Sequence, residues 1–153
     1  MPTAPSFEPH SDRPRLLILA DDAGIGSAID FAASLLAHTE AAWLPLVLLG
    51  ASENFPFRPR PSTILVPGIP DGTIACAPKL DEFGIASRLA SANGLPGCFD
   101  GDVIELSSIW LEALDENARA EVEIFACGSD ELLRAAAAVA ARFEIARQLA
   151  SPD

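Results

Sequence analysis

Cationic side chains are scarce in this chain: ten lysines and arginines stand against 22 aspartates and glutamates, for a formal net charge of −12. A field of that sign repels polyanions, so nucleic acid is not an expected partner. Cysteine is sparse too. Cys76, Cys98 and Cys127 stand apart, without CxxC spacing or a nearby histidine pair, so neither a zinc site nor a disulfide framework is expected and the thiols should be reduced. No apolar stretch approaches the roughly 20 residues of a membrane helix, which excludes that kind of membrane anchorage. Residues 1–14 are proline-rich and lack an apolar signal core, so they read as a disordered or draped arm. A cytoplasmic location is the default expectation. The two histidines, His10 and His38, have no serine, cysteine or aspartate arrangement around them that would suggest nucleophilic catalysis.

What is present is one domain of apolar runs alternating with helical patterns. The 153 residues suit a single core, with residues 15–153 as its extent. Residues 16–20 form a continuous apolar run bounded by Pro14 and two aspartates, which suits a central strand buried on both faces. After the turn at 21–27, residues 28–38 present Ile29, Ala32, Ala33 and Leu36 on one helical face. Residues 44–50 read as a second buried strand, 74–83 as a short helix stopped by Gly84, and 85–90 as a third strand. A helix over 103–114 follows, then a fourth strand over 122–127, an alanine-rich helix over 130–143 and a final short strand over 144–149. The segment 51–72 is rich in proline and phenylalanine and offers only 63–66 as a possible extended piece. The order implies an α/β fold: a doubly wound, Rossmann-like, five-stranded parallel sheet with helices on both faces. Ligands of such folds sit beyond the carboxyl ends of the strands, which places the candidate site between the turns at 21–27 and 127–130.

Four segments carry a family resemblance. Leu17-Ile18-Leu19-Ala20-Asp21-Asp22-Ala23-Gly24-Ile25-Gly26 resembles the strand and glycine turn that open the nucleotide domain of ferredoxin reductases. Val122-Glu123-Ile124-Phe125-Ala126-Cys127-Gly128-Ser129 is similar to that family's strand ending in CGP. Between them, Ser91-Ala92-Asn93-Gly94 and Gly101-Asp102-Val103-Ile104-Glu105-Leu106 resemble elements of dihydroorotate dehydrogenase electron-transfer subunits. Some of those relatives share the turn aspartates and a proline/phenylalanine insert like 55–61. They also carry a flavin-binding barrel before this domain and an iron–sulfur cysteine cluster after it, so neither FAD nor an iron–sulfur cluster is expected within this chain.

The resemblance implies an NAD site, with NAD favoured over NADP because no cationic pair is placed for a 2′-phosphate and Arg88 lies inside a strand. Gly24, Ile25, Gly26 and Ser27 would offer backbone N–H groups to the pyrophosphate at a helix N-terminus. Ser91 and Asn93 would reach the ribose. Cys127 and Gly128 would lie beside the nicotinamide, the helix N-terminus favouring some thiolate character. Plainer readings stand beside these: the glycines make a tight strand-to-helix turn capped by Asp22 or Ser27, Asn93-Gly94 is a turn, and Cys127 packs as a small hydrophobe. Asp21 and Asp22 replace the family's glycine pair, and two carboxylates beside a pyrophosphate oppose binding unless they point away. Arg58 and Arg60 are either a solvated pair or a contact for an acidic partner or a phosphate, and Phe55 and Phe57 an exposed anchor or packing. Two functions remain open. One is an electron-transfer module passing hydride to the flavin of a separate flavoprotein subunit. The other is a nucleotide domain without its cofactor, acting in interaction or assembly, with a homo-oligomer as corollary.

Overall fold

The computed structural model describes residues 7–37 and 43–151; the expectations for residues 1–6 and for His38 fall outside them. Strand β1 (Arg15–Asp21) is central because Leu16 to Ala20 are all fully buried, alternate residues feeding the two faces. A 3-10 turn (Asp22–Gly24) leads into α1 (Ile25–Ser34), three residues earlier than the apolar pattern suggests, because Gly24 already has helical dihedrals. β2 (Leu44–Gly50) then pairs in parallel with β1 from Arg15↔Leu44 to Asp21↔Gly50.

The later elements are β3 (Arg60–Pro61), β4 (Ala75–Cys76), α2 (Pro78–Glu82), β5 (Ala86–Ser91) and β6 (Phe99–Asp100), followed by α3 (Val103–Ala113), α4 (Glu116–Ala120), β7 (Val122–Cys127), α5 (Asp130–Phe143) and β8 (Ala146–Ala150). The main sheet is parallel throughout, in the order β6-β5-β2-β1-β7-β8. It has six strands rather than the expected five. The additional strand, β6, is a two-residue pairing with β5, too short to leave a periodic signal. From β1 the chain adds β2, β5 and β6 on one side and returns to place β7 and β8 on the other, so the winding reverses between β1 and β7. One core, containing Leu16, Ile18, Phe31 and Phe125, lies under α1; the other, containing Leu17, Leu19, Leu106 and Leu132, lies under α3 and α5.

Three local expectations are corrected. The region 74–83 is helical only from Pro78, whose fixed φ suits a first helical turn, while Ala75 and Cys76 form β4. Residues 63–66 are not a strand; β3 at Arg60–Pro61 pairs with β4 instead. The last strand starts at Ala146 because Glu144 takes a left-handed conformation (φ 56°) that ends α5, and Ile145 donates its N–H back to Ala140 O at 2.8 Å.

Side-chain chemistry orders the proline-rich insert. Asp81 accepts hydrogen bonds from Ser62 Oγ (2.6 Å), Thr63 Oγ1 (2.9 Å) and Thr63 N (3.2 Å). Buried Arg88 donates to the carbonyls of Ile64 (2.6 Å), Ser87 (2.7 Å) and Thr73 (3.1 Å), so it fastens the insert to β5 and has no role as a phosphate clamp. Phe55 and Phe57 stack at 5.4 Å against the α1-side core, whereas Val66 and Ile69 reach the opposite one. Phe55 is therefore packing rather than an exposed anchor.

The arm packs as well, over the described residues from Phe7. Phe7 meets Phe31 and Phe125 edge-on, with centroids 5.0 and 5.2 Å apart. Glu123, only 2% exposed on β7, binds His10 Nδ1 at 2.9 Å, Arg13 Nε at 3.4 Å and Gln148 Nε2 at 2.9 Å. A buried carboxylate without partners is costly, so the arm and the β7–β8 face depend on each other. Phe7→Ala is expected to lower the unfolding free energy in urea by about 2 kcal/mol, read from the transition midpoint. An unchanged midpoint would show that the arm contributes nothing.

A pH dependence follows at Asp81. Burial pushes its carboxyl up, but the hydrogen bonds from Ser62, Thr63 and the Cys76 thiol outweigh this and hold it below the ordinary aspartate value. A depressed folded-state value gives stability that is present above the unfolded aspartate pKa of about 3.9 and is lost as the pH falls through the folded value. Asp81→Asn should therefore destabilise the protein at neutral pH and approach wild type in acid, as urea titrations at several pH values would show.

Candidate functional site

The reversal between β1 and β7 brings the turns after these strands together, as the winding requires. Gly24 is buried directly against the other turn: a Cβ there would overlap the Cys127 carbonyl. A Cβ on Gly128 would likewise overlap the Asp21 carboxylate. These two glycines serve contact between the turns and leave no opening between them. Cys127 is 1% exposed. Burial pushes its thiol up, a hydrogen bond with Ser27 lowers it and nearby Asp21 raises it, so the net shift is upward and the expected thiolate tendency is not found.

The turn aspartates have defined partners. Asp21 Oδ1 accepts the backbone N–H of Ser129 at 2.9 Å and Asp21 Oδ2 accepts its hydroxyl at 2.8 Å, while Ser129 Oγ accepts Leu132 N at 3.1 Å and caps α5. Asp22, at φ 38°, holds Ser52 N (2.9 Å) and Ser52 Oγ (3.1 Å) with Oδ1. Asn93 Nδ2 donates to Ser52 O at 2.9 Å, and Asn93 N donates to Ser91 Oγ at 3.1 Å. A polar chain thus runs along the carboxyl edge of the sheet from the start of α5 through β1 and β2 to β5. Ser91 and Asn93 belong to it as partners of the protein's own groups.

Beside that chain opens a cavity of about 390 Å3 over the ends of β1, β2 and β5, between the first turns of α3 and α5. Its floor is built from small apolar residues, among them Gly50, Ala51, Ala90 and Ala135, and its polar lining includes the carboxylates of Asp21, Asp22, Asp102 and Glu131. No lysine or arginine lines it. None of Gly24, Ile25, Gly26, Ser27, Ser91, Asn93, Cys127 and Gly128 lines it either. Ile25 and Gly26 instead border a second cavity of about 270 Å3 on the α1 side. The eight residues expected to act together are therefore divided among a closed inter-turn contact, a polar edge and a separate cavity.

Sequence reasoning did not place Ser52, Asp102 or Glu131 at this edge. Asp102 left a recognisable signal: it forms a capping box with Glu105, accepting Glu105 N at 2.8 Å. Ser52 left none, since its role depends on the exit direction of β2. Arg60 pairs with Glu82 at 3.6 Å on the surface. Among the described residues no cluster of three histidine, cysteine or acidic side chains could hold a metal ion.

Three substitutions test this arrangement by urea denaturation. Asp22→Asn keeps an oxygen for Ser52 and tolerates the left-handed conformation, so its stability should stay near wild type, whereas Asp22→Ala loses both features and should cost about 2 kcal/mol. Gly24→Ala should cost about 3 kcal/mol, because the overlapped atoms are backbone. Equal stability of all three variants would mean that the turns are not in contact.

No protein-family model matches this chain and no curated protein matches it, so the reading of the site rests on its geometry.

Proposed function

We propose that the chain is a nucleotide-domain scaffold of the ferredoxin-reductase type that works without a pyridine dinucleotide, as an interaction or assembly module rather than as an oxidoreductase. The carrying observation is the Asp21 carboxylate on the N–H and hydroxyl of Ser129 at the start of α5. That anion stands between the two turns, and at the first of them, where a pyrophosphate would need free amides, Gly24 is packed on the Cys127 carbonyl and the Ile25 N–H already donates to Asp22 O. The four-carboxylate lining of the neighbouring cavity, with no cation to offset it, disfavours a dianion further. A buried Cys127 offers no surface against which a nicotinamide ring could lie.

An interaction role draws support from apolar side chains left in water around the insert. Leu65 is 89% exposed, and Ile74 and Phe83 are about half exposed. Isothermal titration with NADH, NAD and NADPH at low salt is the test. No saturable heat at millimolar cofactor is expected. Saturable NADH binding would overturn the proposal and restore the electron-transfer reading, with a separate flavoprotein as hydride acceptor.

A further inference from the structure

Three asparagines, Asn54, Asn93 and Asn117, occur in the chain, and their surroundings differ. Asn93 is exposed in the loop after β5 and precedes Gly94, which has φ 70° and no neighbour within 4 Å of the place where a Cβ would stand. Among the described residues the Gly94 N–H has no hydrogen-bond acceptor. Its nitrogen is therefore both unshielded and uncommitted. The other two positions lack this combination. Phe55 follows Asn54 and is packed into the α1-side core, so its bulky side chain screens its own nitrogen. Asn117 lies within α4, where the N–H of Ala118 is already held by Asp115 Oδ1 at 2.8 Å.

Asn93 also has a defined task. Its Nδ2 donates to Ser52 O at 2.9 Å, and Ser52 is in turn held by Asp22, so this one amide joins the loop after β5 to the loop after β2. Ser52 and Ala92 line the cavity at the carboxyl edge, so the link borders it. The bond is exposed and opens readily to solvent, which delays movement of the side chain without preventing it. An amide is required there. A carboxylate in its place would have no hydrogen to give and would set an anion against the carbonyl oxygen of the residue that Asp22 holds.

We propose that Asn93–Gly94 is a site of spontaneous succinimide formation, a self-modification that releases the β2 and β5 loops from each other and adds one negative charge to the edge. The Gly94 nitrogen gives up its proton to solvent hydroxide and bonds to Asn93 Cγ; the Cγ–Nδ2 bond breaks, and Nδ2 leaves as ammonia with a proton from water. Water then opens the ring. Addition at Cγ gives aspartate with the original backbone, and addition at the backbone carbonyl carbon gives isoaspartate, whose main chain is one methylene longer. Water is the only co-reactant, and nothing is oxidised or reduced. Either product lacks the Nδ2 donor to Ser52. The reaction involves no cofactor, so its test is separate from that of dinucleotide binding.

The full chain is incubated for days at physiological temperature and mildly alkaline pH, then digested and mapped by mass spectrometry with fragmentation. A gain of about one dalton at residue 93 is expected, with isoaspartate among the products and a rate at least about tenfold above those of Asn54 and Asn117. Gly94→Ala adds a methyl group beside the attacking nitrogen; the open loop has room for it, and conversion should slow by at least about tenfold. Asn93→Asp, the product with unaltered backbone, should have a lower urea midpoint than wild type. The proposal is overturned if Asn93 stays intact, if Asn54 or Asn117 converts as fast, or if Gly94→Ala reacts at the wild-type rate. An Asn93→Asp midpoint equal to that of wild type would overturn the release of the two loops.

Discussion

Asp21 ends the central strand and reaches across to the second residue after β7, where its two oxygens take the backbone N–H and the hydroxyl of Ser129. Much of the carboxyl edge depends on this contact. In a parallel sheet the helices that follow the strands start at the same edge, so their unpaired N–H groups and positive dipole ends converge there. Those groups must meet water, a ligand anion or an internal anion. Here the anion is internal, and the same solution recurs where Asp102 caps α3, while Asp22 takes the N–H and hydroxyl of Ser52 in the loop after β2. Gly24 and Gly128 allow it, since side chains at either position would separate the turns that Asp21 joins.

Further from the edge, three buried ionisable groups organise the irregular segments. Glu123 ties the arm to β7 and β8, Asp81 gathers the loop after β3, and Arg88 takes three carbonyls of the insert and its surroundings. Each charge lies where isolation would cost several kcal/mol, and each is offset only when the segment it binds is in place. Such groups specify position more than they add net stability, which explains how a proline-rich insert with one two-residue ladder can have a single conformation. The arm gains aromatic packing in addition, because Phe7 completes a cluster with Phe31 and Phe125 that α1 leaves uncovered.

The sequence was legible where burial is continuous or a helix face is long. β2 and β7 match their apolar runs residue for residue, and α5 follows its alanine-rich pattern to Phe143. β6, β3 and β4 were not legible because pairs of two residues carry no period, and their positions follow from long-range bonds such as Ala75 N to Gly97 O at 2.8 Å. The turns were legible in position and not in orientation. Gly24, Gly26, Cys127 and Ser91 lie at or near the carboxyl ends of their strands, yet a turn motif does not say which groups face inward. Gly24 turns into the protein, Gly26 turns away from the crevice, and the sulfur of Cys127 faces Ser27. The aspartates were the informative departure, since a carboxylate in a glycine turn must either find donors or repel the ligand that would use them.

That alternative can be weighed from the geometry. A phosphate at the first turn would lie beside the Asp21 carboxylate, which the central strand carries and which is already held by Ser129. For a dinucleotide to enter, Asp21 would have to release Ser129, and Cys127 and Gly24 would have to separate. The first change leaves a carboxylate beside the incoming dianion; the second opens packed backbone. The carboxyl edge is thus closed by its own anions and by packed backbone at the two turns that a doubly wound fold ordinarily leaves open to a ligand.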